Sequence, residues 1–165
     1  MSNRVIGVFT DPKEAARTVD DLTDAGVSKN RISIVTTEST AKGAYGIETQ
    51  TKGAEGTAYG GTIGAATGAL LGGLTSVGAL ATGGIGLLAV GPVVAAFAGA
   101  GVGGVTGGAL GGLIGLGFSE QEVKYFEDAL NEGAVLVGVD VSETDDEDKV
   151  ESLINAHSPK ETATA

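Results

Sequence analysis

Three patterns in the chain have residue types and spacings that could do chemistry. Gly99-Ala100-Gly101-Val102-Gly103-Gly104 fits the G-x-G-x-x-G fingerprint that wraps a dinucleotide pyrophosphate, follows an apolar run, and has Glu120 a suitable distance beyond it. The glycines, however, continue at four-residue spacing to Gly115, which a phosphate loop has no use for, and no Gly-Lys-Ser/Thr follows any glycine loop. The run Asp145, Asp146, Glu147, Asp148 could attract a cation. Consecutive acids are also what the dipole favours at a helix start, and calcium loops instead alternate their ligands around a glycine. His157 is the only histidine; it falls near the end of the last expected helix, where a cation suits the dipole, and sequence names no partner for it.

Other chemistry is excluded more simply. Without cysteine there is no disulfide, thiolate nucleophile or zinc-thiolate site. Paired acids such as Asp20 with Asp21 and Glu127 with Asp128 lie on polar helix faces, with no apolar pocket to raise a pKa. A net charge of −11, with ten scattered Lys and Arg, argues against nucleic acid and against adhesion to anionic lipid. No nucleophile, base or metal-ligand constellation is visible, so the chain reads as a non-enzyme with no catalytic residue, cofactor or metal. A small-molecule ligand is left unknown.

The elements that would position any site are organised around an uncharged centre. Residues 56–119 are 64 consecutive positions without Asp, Glu, Lys, Arg or His, and they hold 22 of the 29 glycines. Gly56, Gly60, Gly64, Gly68 and Gly72 are four apart, as are Gly99, Gly103, Gly107, Gly111 and Gly115. A spacing of four is one helical face. Each interior glycine costs on the order of 1 kcal/mol relative to Ala, so such helices make sense where backbones pack closely, as in small-xxx-small membrane interfaces. Thr57 to Gly78 and Pro92 to Gly117 are each long enough to cross a hydrocarbon core of about 30 Å.

The expectation is therefore a glycine-zipper helical hairpin over 56–118. Its connection, Ala79 to Gly91, would be a short apolar helix or re-entrant turn, and the ten stripe glycines would be the helix-packing and oligomerisation surface. Threonines and a serine dilute the first stripe, so three settings stay open: a bilayer hairpin, a hairpin buried in a soluble homo-oligomer, and one lying at a membrane surface. In the bilayer reading, Lys42, Lys52 and Lys124 keep both termini in the cytoplasm; in the soluble reading the whole chain is cytoplasmic. Met1-Ser2-Asn3-Arg4 runs straight into a strand and reads as no signal peptide.

The flanks, 1–55 and 119–157, are acidic and amphipathic, followed by a polar, mobile tail at 158–165. Val5, Ile6, Val8 and Phe9 form a strand; Asp11-Pro12-Lys13-Glu14 opens a helix burying Ala15, Ala16, Val19 and Leu22; Gly26 stops it; Ile32, Ile34 and Val35 form a second strand. Ser119-Glu120-Gln121-Glu122 is a capping box for a helix burying Val123, Phe126, Ala129 and Leu130. Val135 to Val141 is a strand, and Thr144 to Glu147 caps a helix burying Val150, Leu153 and Ile154. Neither flank covers its strands alone, so together they make one split α+β domain interrupted by the hairpin. With a further strand at Ala44 to Gln50 it would be a ferredoxin-like sandwich with an extra C-terminal helix; alternatively 36–55 is a linker.

Val8-Phe9-Thr10-Asp11-Pro12-Lys13-Glu14-Ala15-Ala16, Leu22, Ala25-Gly26-Val27 and Arg31-Ile32-Ser33-Ile34-Val35 resemble the N-terminal block of bacterial general stress proteins, of the heat-induced or low-temperature-induced type. Gly117-Phe118-Ser119, Tyr125 to Leu130 and Glu132 to Val137 resemble the C-terminal block, although Asn131-Glu132-Gly133 stands where an aromatic is often found. The resemblance implies a stress-linked, membrane-associated structural role and supplies no catalytic residues. The expected function is a non-enzymatic stress-response protein that self-assembles through its hairpin, with the lipid bilayer and copies of itself as partners. The rivals are a soluble oligomeric ligand-sensing or regulatory module and a membrane-perturbing element.

Overall fold

A computed structural model of the chain describes residues 3–45, 80–82, 85–91, 111–115, 117–141 and 147–164. Strand β1 is Arg4–Phe9 and helix α1 is Pro12–Asp24. Asp11 caps α1 by accepting from the Lys13 amide at 2.9 Å, and Pro12 occupies the first turn, where its missing N–H costs nothing. The helix ends where Gly26 takes φ +98°, which allows the Gly26 and Val27 amides to donate back to Thr23 and Leu22. Strand β2 is Ile32–Thr37.

After β2 the chain forms helix α2, Glu38–Tyr45, not the strand expected from Ala44; residues 46–50 lie outside the described residues. The Thr37 hydroxyl accepts from the Thr40 amide at 3.2 Å, and Ala41 and Tyr45, one turn apart, are both buried. Capping and helical spacing override the β-prone Thr and Tyr content of the segment, and the linker alternative fails at least as far as Tyr45.

The connection expected between the glycine stripes is also different. Leu80–Thr82 and Ile85–Val90 are strands β3 and β4, paired antiparallel, and β4 pairs in turn with β2 through Ile34↔Val90, Val35↔Ala89, Thr36↔Leu88 and Thr37↔Leu87. A continuous apolar run reads equally well as helix or strand, and the open edge of β2 decides for strand. Residues 80–82 and 85–90, which the sequence places inside a helical hairpin, are thus part of the sheet.

Helix α3 is Gly111–Gly115 and helix α4 is Glu120–Asn131. The Ser119 capping box is complete, with the Ser119 hydroxyl facing the Glu122 amide and the Glu122 carboxylate returning to the Ser119 amide at 2.8 Å. Strand β5 is Val135–Asp140, helix α5 is Glu147–Ala156, and strand β6 is Glu161–Thr164. The last corrects the expectation of a mobile tail. Ala163 is its one buried apolar residue, too little for a hydrophobic signal, and backbone pairing with β1 organises it instead.

The strand order is β3-β4-β2-β5-β1-β6, with every pairing antiparallel. Because β5 lies between β1 and β2, the unit β1-α1-β2 is split by a strand from the other end of the chain. Side chains alternate faces. Val5, Phe9, Ile32, Ile34, Val135, Val137 and Val139 pack beneath α1, α2 and α5; Ile6, Val8, Val35, Leu136, Ala89 and Ala163 pack against α3 and α4. Burial on both faces explains why β1 and β5 are apolar at consecutive positions. The fold is α+β.

Candidate functional site

His157 follows α5 and sits between two carboxylates of α1. Its Nδ1 is 3.3 Å from Glu14 Oε2 and its Nε2 is 2.7 Å from Asp21 Oδ2. Glu14 and Asp21 are two turns apart on one face of α1, so the ring bridges along the helix, and Glu14 also holds Arg17 at 2.5 Å. Carboxylates on opposite edges of one imidazole cannot share an ion that the ring also ligates. Among the described residues no group of three or more His, Cys, Asp or Glu is arranged to hold a metal.

The acidic run is accounted for as far as it is described. Glu147 starts α5 and accepts from Asn3 Nδ2 at 2.5 Å, while Asp148 is exposed; Asp145 and Asp146 lie outside the described residues. The fingerprint-like Gly99 to Gly104 lies outside them entirely. Two arginines converge on the end of β5, Arg4 on the Asp140 carboxylate at 3.5 Å and Arg31 on the Asp140 carbonyl at 2.5 Å. With its own carboxylate inside it, this pair offers an anion little.

Tyr45 is the buried phenol of the helical layer, and its hydroxyl donates to the Pro12 carbonyl at 2.7 Å, tying α2 to the first turn of α1. Burial, and after it the nearby Asp11 charge, push its pKa well above the usual tyrosine value, so it stays neutral and keeps the proton it donates to Pro12. Because the folded-state pKa is raised, this contribution to stability is fully present below the unfolded-state pKa and is lost as pH rises through the folded one. Tyr45→Phe is expected to cost about 1 kcal/mol in urea denaturation, the net value of one hydrogen bond, with the fold retained.

Of the ten stripe glycines, Gly111 and Gly115 fall in α3, and Gly56, Gly60, Gly64, Gly68, Gly72, Gly99, Gly103 and Gly107 lie outside the described residues. In α3, Leu113 turns into the core beside Phe118, while Ile114 is 45% exposed and a Cβ placed on Gly115 would meet nothing within 4 Å. The described end of the second stripe therefore presents small and apolar surface outward. Among the described residues no helix is long and apolar enough to cross a membrane.

The family model for the heat induced stress protein YflT domain matches residues 4–86, half of the chain. The chain belongs to that family. The YflT match runs from β1 through α1, β2, α2 and β3 and ends at the start of β4, so β3 falls within the matched region and most of β4 lies beyond it. It bears out the family expected from Val8 to Val35; the C-terminal block at 117–137 lies beyond it. No curated protein and no solved structure gives a match.

Sequence reasoning singled out His157 but missed its partners, which lie 143 and 136 positions away in the chain. It also missed the role of Tyr45. Its one available signal was the four-residue spacing from Ala41, which marks a helix but not the carbonyl at Pro12.

Proposed function

We propose that this YflT-family chain is a non-enzymatic stress-response module that works as a homo-oligomer, with the glycine-striped segments packed between copies. The pairing of β4 with β2 carries the reading. A first stripe that crossed a bilayer once would leave Leu80 on the far side from Tyr45, whereas β3 and β4 lie on the same sheet as β2. The chain is thus on the sheet again at Leu80, after the first stripe, which favours a core buried within protein over a two-span hairpin. The exposed Ile114 and Gly115 extend that apolar surface to the outside of the domain. A net charge of −11 suits an assembly with an apolar centre, because like charge on the outer surfaces limits further association.

The domain itself reads as ferredoxin-like. The order β2-β5-β1-β6, with α1 and α5 on one face, is that of a strand-helix-strand repeated twice, and residues 38–134 form the insertion between the repeats. Its fourth strand is β6.

Purified without detergent, the chain is expected to run as one discrete oligomer. Gly64→Leu with Gly68→Leu, or Gly103→Leu with Gly107→Leu, is expected to dissociate it, because each added side chain forces the packed backbones apart. Light scattering on both double variants checks this. Unchanged mass in both would sink the packing idea, and recovery of the native chain only in carbonate-washed membranes would reinstate the bilayer.

A further inference from the structure

Strand β6 is a short edge strand of four residues. It pairs only with β1; outside that pairing Ala163 packs into the layer under α3 and α4, and the strand and its approach are held by the Lys160 amide donating to Val8 O at 2.7 Å, Thr162 Oγ1 donating to Asn155 Oδ1 at 2.7 Å, and Lys160 near Glu132 at 3.4 Å. The turn that delivers it contains Ser158 at φ +51°, a left-handed conformation that costs a serine about 1 kcal/mol, followed by Pro159. His157, immediately before this turn, ties it to α1 through Glu14 and Asp21.

We propose that His157 is a proton-dependent latch that holds edge strand β6 on the sheet. An imidazolium donates from both nitrogens, whereas a neutral ring donates from one and turns a lone pair toward the carboxylate at the other. The geometry, with a carboxylate at each nitrogen, is therefore complete only for the protonated ring. The charged side chains of α1 are Lys13, Glu14, Arg17, Asp20, Asp21 and Asp24, of which Glu14 and Asp21 meet the ring; Arg17 is paired with Glu14, so the ring's own carboxylate partners are not both neutralised. On the other side, Lys160 is directed to Glu132 and lies over the Tyr125 ring, Glu161 is exposed, and Glu151 lies further back along α5. Loss of the proton removes one of the two bridges, loosens the turn at Ser158-Pro159, and lets β6 leave. The apolar strand β1 then becomes an open edge, available for pairing with another strand.

Amide hydrogen exchange on the full chain tests this at about pH 5.5 and about pH 8. After correction for intrinsic exchange, the β6 amides that donate to β1 are expected to lose protection by about fivefold at the higher pH, the size expected for one partly exposed bridge, while β5 amides such as Val137 stay protected. His157→Gln is expected to give the lower β6 protection at both values. Glu14→Gln with Asp21→Asn, which keeps the ring and removes its partners, is expected to do the same and serves if His157→Gln loses β5 protection. Equal β6 protection at both values in the native chain, or the same pH dependence in a variant that retains β5 protection, would overturn the proposal.

Discussion

Gly91→Ala is expected to destabilise the domain by about 3 kcal/mol or more and to detach β4 from β2. Gly91 takes φ +101° directly after β4, and a Cβ built on it would lie 2.2 Å from the Ile32 carbonyl oxygen and 2.6 Å from both Cα and Oγ of Ser33. Two of those atoms are backbone of β2, the strand that receives β4, so no rotamer change relieves the contact. Gly26→Ala supplies the internal comparison. Gly26 has a similar φ of +98°, but nothing lies within 4 Å of its Cβ position, so that variant carries the conformational cost alone, about 1–2 kcal/mol. Urea denaturation of both variants separates strain from collision. If Gly91→Ala costs no more than Gly26→Ala, β4 is not seated against β2 as described.

Phe126→Ala is expected to cost about 3–5 kcal/mol, the usual range for emptying a fully buried aromatic site. Phe126 is completely buried on α4, with the Phe118 ring edge-on at 5.8 Å and 76° and the Tyr125 ring at 6.5 Å. This trio, with Leu113 and Leu130, fills the face of the sheet opposite α1 and α5. The cost therefore reports whether that second layer folds with the sheet as one unit. A single cooperative urea transition, shifted by that amount, is expected. A loss below about 1 kcal/mol would mean that α4 packs only loosely.

Much of the fold was legible because five elements carry their own local signals. Asp11-Pro12 and Ser119 with Glu122 announce α1 and α4, Gly26 and Gly133 end them, and consecutive apolar residues in β1, β2 and β5 report burial on two faces. What was missed depends on partners far along the chain. Strand β6 has one buried apolar residue and exists because β1 offers it an edge; β3 and β4 are apolar runs whose helical or extended state is decided by β2; and α2 is set by a threonine cap in a segment whose composition suggests a loop. The same holds for the site. His157 carried no local sign that Glu14 and Asp21 would flank it, since both partners come from the opposite end of the chain. The glycine stripes showed the reverse: the spacing was plain and implied close packing, but spacing alone did not say whether lipid or protein surrounds it.

The measurement that bears most directly on this account is a cross-link between β2 and β4. Val35 and Ala89 are directly opposite in the pairing and both are buried, and the chain has no cysteine to compete. Opposite residues of an antiparallel pair stand about 4.5–5.5 Å apart at Cα, within reach of a disulfide. Val35→Cys with Ala89→Cys is expected to form an intramolecular bond on mild oxidation of the purified, detergent-free protein, as Val5→Cys with Val139→Cys, across the β1–β5 pairing, should also do. A bond in the control pair but none between positions 35 and 89 would contradict the return of the apolar centre to the sheet, and with it the case for assembly away from the bilayer.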